Sequence, residues 1–325
     1  MMKLTPSSVR SMEVARVRRD NAKPINAADF FHDGSMLVTS SDDESIRLYN
    51  CTEGKLQKLV YSRKFGACHV RFTHHQLSVI CASRNSTNEH ALRYLSLHDN
   101  QFMRYFLGHT APVCALEMSP KEDVFISAAR DSTVRLWDLR QEGALGLLAS
   151  PNNSPPAVSF DPEGLIFATA MSDANARAVR LYDMRSYAKG PFTTFRLPGP
   201  PVAFHHLSFS NDGKTILLPS TSDSIELIDA FDGSQLATFR GHANSGGLML
   251  EAAFTPDGQF ILSGSEDGTV HLWHAATGRE VGVWQGHNAP TMVVRWSPTA
   301  MLAATACTGS LLCLWIPTLQ GAGGL

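Results

Sequence analysis

The segment from Gly241 to Trp273, GHANSGGLMLEAAFTPDGQFILSGSEDGTVHLW, returns in weaker form at Gly108 to Trp137 and at Gly286 to Trp315. A repeat of this kind constrains the fold more than any local propensity, because one supersecondary unit must stack on copies of itself. Each copy holds a Gly-His pair, an alternating strand and a Pro-Asp-Gly-like turn. A second strand ending in small residues, an acidic turn and a third strand ending in Trp complete it. Period-2 alternation puts one face of each strand toward a neighbouring copy.

That order of elements is the WD-repeat signature, which marks a blade of a β-propeller. The residues closing successive third strands are Tyr49, Leu97, Trp137, Tyr182, Ile228, Trp273 and Trp315, about 40 to 48 residues apart, as four-stranded blades require. Most precede a polar residue, at Asn50, His98, Asp138, Asp183, Asp229 and His274, and Ile316 breaks the pattern. First strands are expected at Ile25–Phe30, Ala67–Phe72, Val113–Met118, Pro156–Phe160, Leu207–Phe209, Glu251–Phe254 and Met292–Trp296. The expected fold is therefore an all-β, seven-bladed WD-repeat propeller. The last blade lacks an outer strand of its own, and Met12 to Val17 can supply it, closing the ring and removing two open sheet edges.

We assign residues 1–318 to the propeller and 319–325 to a flexible C-terminal tail. Repeats override the length-based expectation of about two domains for a chain of this size, since each blade is stable only against its neighbours. No run of about 18 apolar residues is present, and the opening MMKLTPSSVR lacks an apolar signal core, so an intracellular protein is expected. The six cysteines are scattered without a CxxC pair or a His at ligand spacing, which reads as core thiols, with no metal or other cofactor expected. A formal net charge of -2 argues against a dedicated nucleic-acid domain. The basic residues Lys55, Lys58, Arg63, Lys64 and Arg71 nevertheless fall in a stretch without an acid. They read either as a cationic face for an acidic or phosphorylated partner or as edge lysines that guard an outer strand.

His109, Ser127 and Asp131 form a Ser-His-Asp set, and His242, Ser263 and Asp267 repeat it at matching offsets, each followed by a Trp, Trp137 and Trp273. A hydrolase needs one such set. Two copies, each coupled to a Trp, point to a buried polar network that locks loop to strand, not to catalysis. Blade 7 keeps Gly286, His287 and Trp315 but has Gly309 and Ser310 in place of the acidic turn, and blades 1, 2, 4 and 5 lack the Gly-His pair. Those four are expected to depend more on apolar packing and to be the softer part of the ring. The pairs His74-His75 and His205-His206 read as surface or loop residues, because adjacent strand residues point to opposite faces. With no phosphate loop, metal set or credible nucleophile, binding is the chemistry left to such a ring, and the chain is not expected to be an enzyme.

Several runs lie mostly outside the generic repeat: SSDDESIRLYNCTEGK at Ser40–Lys55, RYLSLHDN at Arg93–Asn100, SFDPEGLIFA at Ser159–Ala168, KGPFTTF at Lys189–Phe195, LIDAF at Leu227–Phe231 and EAAFTPD at Glu251–Asp257. Together with the opening MKLTPSSVRSMEVARV they resemble the small WD-repeat subunit of COMPASS-type histone H3 lysine methyltransferase complexes over essentially the full length. The resemblance implies a nuclear, non-catalytic scaffold. Such a subunit docks a segment of the SET-domain methyltransferase, recognises the phosphorylated RNA polymerase II tail, and joins protein phosphatase 1 or cleavage and polyadenylation complexes. Neither sequence-specific nucleic-acid binding nor membrane association is implied. A rival reading, substrate receptor of a cullin-RING ubiquitin ligase, rests on Trp137-Asp138-Leu139-Arg140 and Tyr182-Asp183-Met184-Arg185, with Arg140 and Arg185 as the adaptor contacts.

Overall fold

The computed structural model describes residues 3–85, 89–149, 155–172 and 177–318. It contains seven four-stranded antiparallel sheets. Six are built from consecutive strands, as in blade 3, where Val113–Met118, Val124–Ala129, Thr133–Asp138 and Ala144–Ala149 pair in chain order. The first strands of successive blades pack side by side around a central channel, from Ile25–Phe30 in blade 1 to Thr291–Trp296 in blade 7, which returns to blade 1. Blade 7 takes its outer strand from the other end of the chain. Met12–Arg18 pairs antiparallel with Leu312–Pro317, with Met12 opposite Pro317 and Arg18 opposite Leu312. The seven-bladed ring closed by its N-terminal strand is thus the fold that the repeat predicts. The tail expected at 319–325 lies outside the described residues.

Burial explains why these segments are strands. Second strands sit inside each blade and read as unbroken apolar or small runs, such as Val124–Ala129 and Phe260–Gly264, with every residue buried. Outer strands alternate or are largely exposed, as in Gln101–Phe106. Apolar clusters join neighbouring blades, and one combines Val60 of blade 1 with Val70 and Leu95 of blade 2. The short helix Pro6–Arg10, capped by Thr5, leads into the closing strand and buries Val9, whose carbonyl accepts from the Trp284 indole at 3.0 Å.

Register corrects one expectation. Phe125 pairs with Trp137 in blade 3 and Leu37 with Tyr49 in blade 1, and the equivalent pair in blade 2 is Val79 with Leu95. The closing residue of blade 2 is therefore Leu95, followed by Ser96. Leu97 and His98 already belong to the turn, a two-residue slip that alternation hides because Leu95 and Leu97 share a face.

Strand alternation gives the ring two faces. Turns joining first to second and third to fourth strands lie on one, the lower face. Turns joining second to third strands, and the connections between blades, lie on the upper face.

Candidate functional site

On the upper side of blade 3, His109 Nδ1 lies 3.0 Å from Asp131 Oδ2 and its Nε2 lies 2.7 Å from Ser127 Oγ, to which the Trp137 indole donates at 2.8 Å. One assignment satisfies every group. The indole N–H donates to Ser127, the Ser127 hydroxyl to Nε2, and the Nδ1–H to Asp131. Burial holds the His109 pKa below its ordinary value against the pull of Asp131, so the ring is neutral, as the chain of donors requires. Burial pushes the Asp131 carboxyl up, but bonds from Thr133, the Thr110 N–H and His109 outweigh it and hold the carboxyl low. Ser127 and Trp137 are both 0% exposed, so the hydroxyl that resembles a nucleophile is out of reach of any substrate.

Blade 6 departs from the expected copy. Ser263 donates to the Gly264 carbonyl, Asp267 accepts from Thr269, and the Trp273 indole donates to the Arg240 carbonyl at 3.1 Å. His242 is buried with Nδ1 unpartnered. His271, at the register position that Arg135 holds in blade 3, stacks on Trp273 at 5.7 Å and pairs with Glu280 at 2.7 Å. Blade 7 keeps more of the network than its sequence suggests. His287 Nε2 and the Trp315 indole both lie 2.7 Å from Thr305 Oγ1, and the Cys313 thiol sits 3.8 Å from His287 Nδ1. Thr305 stands at the same offsets, 18 from its His and 10 from its Trp, as Ser127 does in blade 3.

Three of the blades without a Gly-His pair add buried arginines to the apolar packing expected of them. Arg47 donates to the Asp20 carbonyl and to Asn21 and Ser45. Arg93, 1% exposed, lies 3.6 Å from the Phe65 ring centroid and donates to Ser83. Arg177 reaches the Pro198 carbonyl and Glu226 of the next blade. A planar cation thus ties loop to strand in these blades: Arg47 and Arg177 satisfy loop carbonyls, and Arg93 and Arg177 pack on aromatic rings.

The channel is the main concave feature. The penultimate residue of each first strand points inward, in order Asp29, Arg71, Glu117, Ser159, Ser208, Ala253 and Arg295. These residues stitch neighbouring blades: Asp29 accepts from the Phe72 N–H at 2.8 Å, Ser159 donates to Glu117 at 3.2 Å, and Arg295 binds Glu251 at 2.9 Å and the Ala28 carbonyl at 3.1 Å. Two cavities, about 460 Å³ toward the lower face and about 480 Å³ toward the upper, share Arg71, Glu117 and His206. Irregular register in four first strands falls at Asn26, His69, Cys114 and Met292, and turns these side chains into the upper mouth. His69 has φ +52, a strained conformation for this residue type. His205 and His206 lie in a loop, as one of the two readings has it, but line the channel and not the surface, and burial drives both imidazoles below their usual pKa.

The basic stretch is dispersed. Lys55 and Lys58 lie on the outer strand of blade 1, where Lys55 pairs with Glu53 and Lys58 donates to the His98 carbonyl. Arg63 and Lys64 follow in the connection to blade 2, over the Tyr61 and Phe65 rings. Arg71 is separated from all four, because its strand is innermost and its side chain faces the channel. Arg140 and Arg185 sit exposed in lower-face turns, and Arg140 is clamped on Asp138 at 2.7 and 2.9 Å. All six cysteines are free thiols, and the described residues hold no group of three or more potential metal ligands.

The family model for the WD domain, G-beta repeat, matches residues 13–50, 100–138 and 233–274. Each match spans the outer strand of one blade and the first three of the next, so the sequence repeat is offset from the structural blade. WD repeat-containing protein 82 of Drosophila melanogaster is 44% identical, covering 98% of both chains. The Set1 complex component swd2 of Schizosaccharomyces pombe is 39% identical over 65% of this chain and 58% of its own. COMPASS component SWD2 of Saccharomyces cerevisiae is 33% identical over 72% of this chain and 71% of its own. With seven WD-type blades, an N-terminal closing strand and near full-length similarity, the chain belongs to the WD-repeat family of which WD repeat-containing protein 82 and the small Set1/COMPASS WD-repeat subunits are members.

Proposed function

We propose that this protein is a non-catalytic scaffold subunit of a nuclear COMPASS-type histone H3 methyltransferase complex. The observation that carries the reading is the 44% identity across 98% of both chains to WD repeat-containing protein 82, together with relatives named as Set1 and COMPASS components. A rigid ring fits this role, because its loops present short segments in fixed geometry for partner peptides. The inaccessibility of Ser127 supports a structural role for the triad-like set. In this reading the propeller docks a segment of the SET-domain subunit and links the complex to the phosphorylated RNA polymerase II tail. Shared membership with protein phosphatase 1 or cleavage and polyadenylation complexes belongs to the same proposal, and extends it to transcription termination.

Affinity purification of the tagged protein from nuclear extract, with a salt wash and mass spectrometry, tests the reading. Recovery of a SET-domain methyltransferase is expected. Recovery of a cullin and its adaptor without a methyltransferase would overturn it, although nothing in the lower-face turns of Arg140 and Arg185 singles them out as an adaptor contact. For the polymerase tail, Lys55, Lys58, Arg63 and Lys64 remain the candidate surface after Arg71 is removed from it. Reversing Lys58, Arg63 and Lys64 together should abolish binding of a serine-phosphorylated tail peptide, and unchanged affinity would sink that assignment.

A further inference from the structure

The outer strand of each blade turns one row of unpaired main-chain groups to solvent, a template for a further strand that proteins usually guard with charge. Six of the seven follow that rule, with Arg16 in Met12–Arg18, Lys58 in Lys55–Tyr61, Arg104 in Gln101–Phe106, Arg196 in Thr193–Leu197, Arg240 in Gln235–Arg240 and Glu280 in Glu280–Gln285. The outer strand of blade 3, Ala144–Ala149, reads ALGLLA and carries neither charge nor proline. Leu147 on it is 57% exposed and Leu145 39%. Leu147 stands opposite Arg135, whose guanidinium lies against Gly108 of blade 2, and the residue before that glycine, Leu107, is 62% exposed. One face of this unguarded edge is therefore an apolar strip at the rim between blades 2 and 3.

The other face looks toward blade 4. Leu148 packs in the cluster that holds Tyr182 and Tyr187, and the Tyr187 ring lies so close to Gly146 that no Cβ fits there. Tyr187 also donates to the Leu145 carbonyl at 2.8 Å, which closes the lower end of the edge and, among the described residues, leaves 146–149 uncovered. Blade 4 brings cations to this side. Residues 177–197 hold Arg177, Arg180, Arg185, Lys189 and Arg196 against a single acid, Asp183. Arg177 is engaged by Glu226, and Asp183 accepts from the Arg185 N–H and the Ser186 hydroxyl. Among the described residues, no carboxylate lies within ion-pair distance of the other four side chains. Arg180 stands opposite Thr194 and Arg196 opposite Ala178, so the two arginines are diagonal neighbours on the face that carries Tyr182, the one toward blade 3. Like charges so placed repel each other until an anion joins them.

We infer that the outer edge of blade 3 is a docking site for an extended peptide strand in which acidic and apolar residues alternate. Its backbone pairs with 146–149 and adds one strand to the blade. A residue opposite Leu147 shares its face, where an apolar side chain covers Leu147 and Leu107. Residues opposite Gly146 and Leu148 point toward blade 4, where their carboxylates meet Arg180 and Arg196. The unpaired cations fix the sign of the partner's charge, and the strand period fixes its pattern. The site does not depend on which complex the protein joins.

The test uses the full chain and a fluorescein-labelled, N-acetylated octapeptide of alternating Glu and Val, with a Lys-for-Glu octapeptide as control, read by anisotropy. Binding of the Glu peptide alone is expected, weakened roughly tenfold by L147D and severalfold by R180Q/R196Q, with the salt dependence flattened in the second variant. Equal affinity for the two peptides, or no binding, would overturn the site. Hydrogen exchange on the wild-type protein needs no variant. Saturating peptide should slow exchange of the amides within 144–149, and unchanged exchange there would mean adsorption to the cations without strand pairing, which refutes the proposal. Sedimentation of the wild-type protein alone tests the rival occupant, a second copy of the chain. A monomer is expected, and a dimer that L147D dissociates would show that the edge closes on itself and would overturn the peptide reading.

Discussion

Replacing Ser127 by Ala removes one oxygen that serves two buried partners. The Trp137 indole loses its acceptor and His109 Nε2 loses its donor, both where water has no access. An unsatisfied buried polar group costs about 1–3 kcal/mol, so the pair should cost about 2–6 kcal/mol. Ser263→Ala in blade 6 is the internal control, since the same residue type at the same repeat position makes only a bond to the neighbouring Gly264 carbonyl and should cost about 1 kcal/mol or less. Urea titration followed by tryptophan fluorescence gives both values. A double-mutant cycle sharpens the contrast: S127A with H109F should couple by at least about 1 kcal/mol, and S263A with H242F by roughly zero. Equal costs for the two serines, or equal coupling, would refute the claim that the network is closed in blade 3 and open in blade 6.

Thr305→Val, which keeps shape but removes the hydroxyl shared by His287 and Trp315, should cost about 2–6 kcal/mol in the same titration. Deleting residues 1–18 strips the outer strand from blade 7 and exposes the sites of Leu4, Val9 and Met12, each under 5% exposed. At about 1.5–3 kcal/mol per side chain, that approaches the whole stability of a typical domain, so size-exclusion chromatography should show aggregate in place of monomer. Burial holds His69, His205, His242 and His287 at about 4, below the ordinary 6.5. Their neutral folded forms are stabilised above pH 6.5, and that contribution is lost as pH falls from 6.5 toward 4, so the urea midpoint should drop across that window. Glu117 has the opposite sign. Its carboxyl is pushed up to about 7 by burial, so its contribution is present below the ordinary value of 4.5 and lost as pH rises through 7. E117Q should therefore gain on wild type at pH 8 and not at pH 5, and a gain at both would contradict that assignment.

The ring and its closure were legible because they rest on periodicity, which survives heavy substitution. Tyr49, Tyr182 and Ile228 close their strands as Trp does elsewhere, since the position demands only a large buried side chain. Where sequence and structure differ, a second physical variable is at work. Leu95 and Leu97 satisfy the same alternation, and only hydrogen-bond register separates them. The blade 6 set does not close because residue types at fixed offsets do not specify rotamers: Ser263 and Trp273 each bond a backbone carbonyl in place of one another. Thr305 was findable, since its spacing from His287 and Trp315 equals that of Ser127 from its partners, but the missing acidic turn drew attention away from it. The channel charges also had a signal, the penultimate residue of every first strand. Arg71 belongs to that set, and the cation-rich stretch around it masked the membership. The bulges that aim His69 and Met292 into the upper mouth leave no mark on a pattern of alternating hydrophobicity.

The closing strand has a consequence for biosynthesis. Arg18 leaves the ribosome long before its partner Leu312, about 290 residues later, and at ~5–20 residues per second that gap lasts roughly 15–60 s. During this interval a strand made before all seven blades is the last to find its place, and a nearly finished propeller carries an unpaired edge on each side of the gap. Nascent copies on one polysome could exchange closing strands, which would turn a ring closure into a link between molecules. Chaperone capture of Met12–Arg18 until blade 7 is complete would guard against this, and ribosome profiling of chaperone-bound nascent chains should then show release once Leu312–Pro317 has emerged.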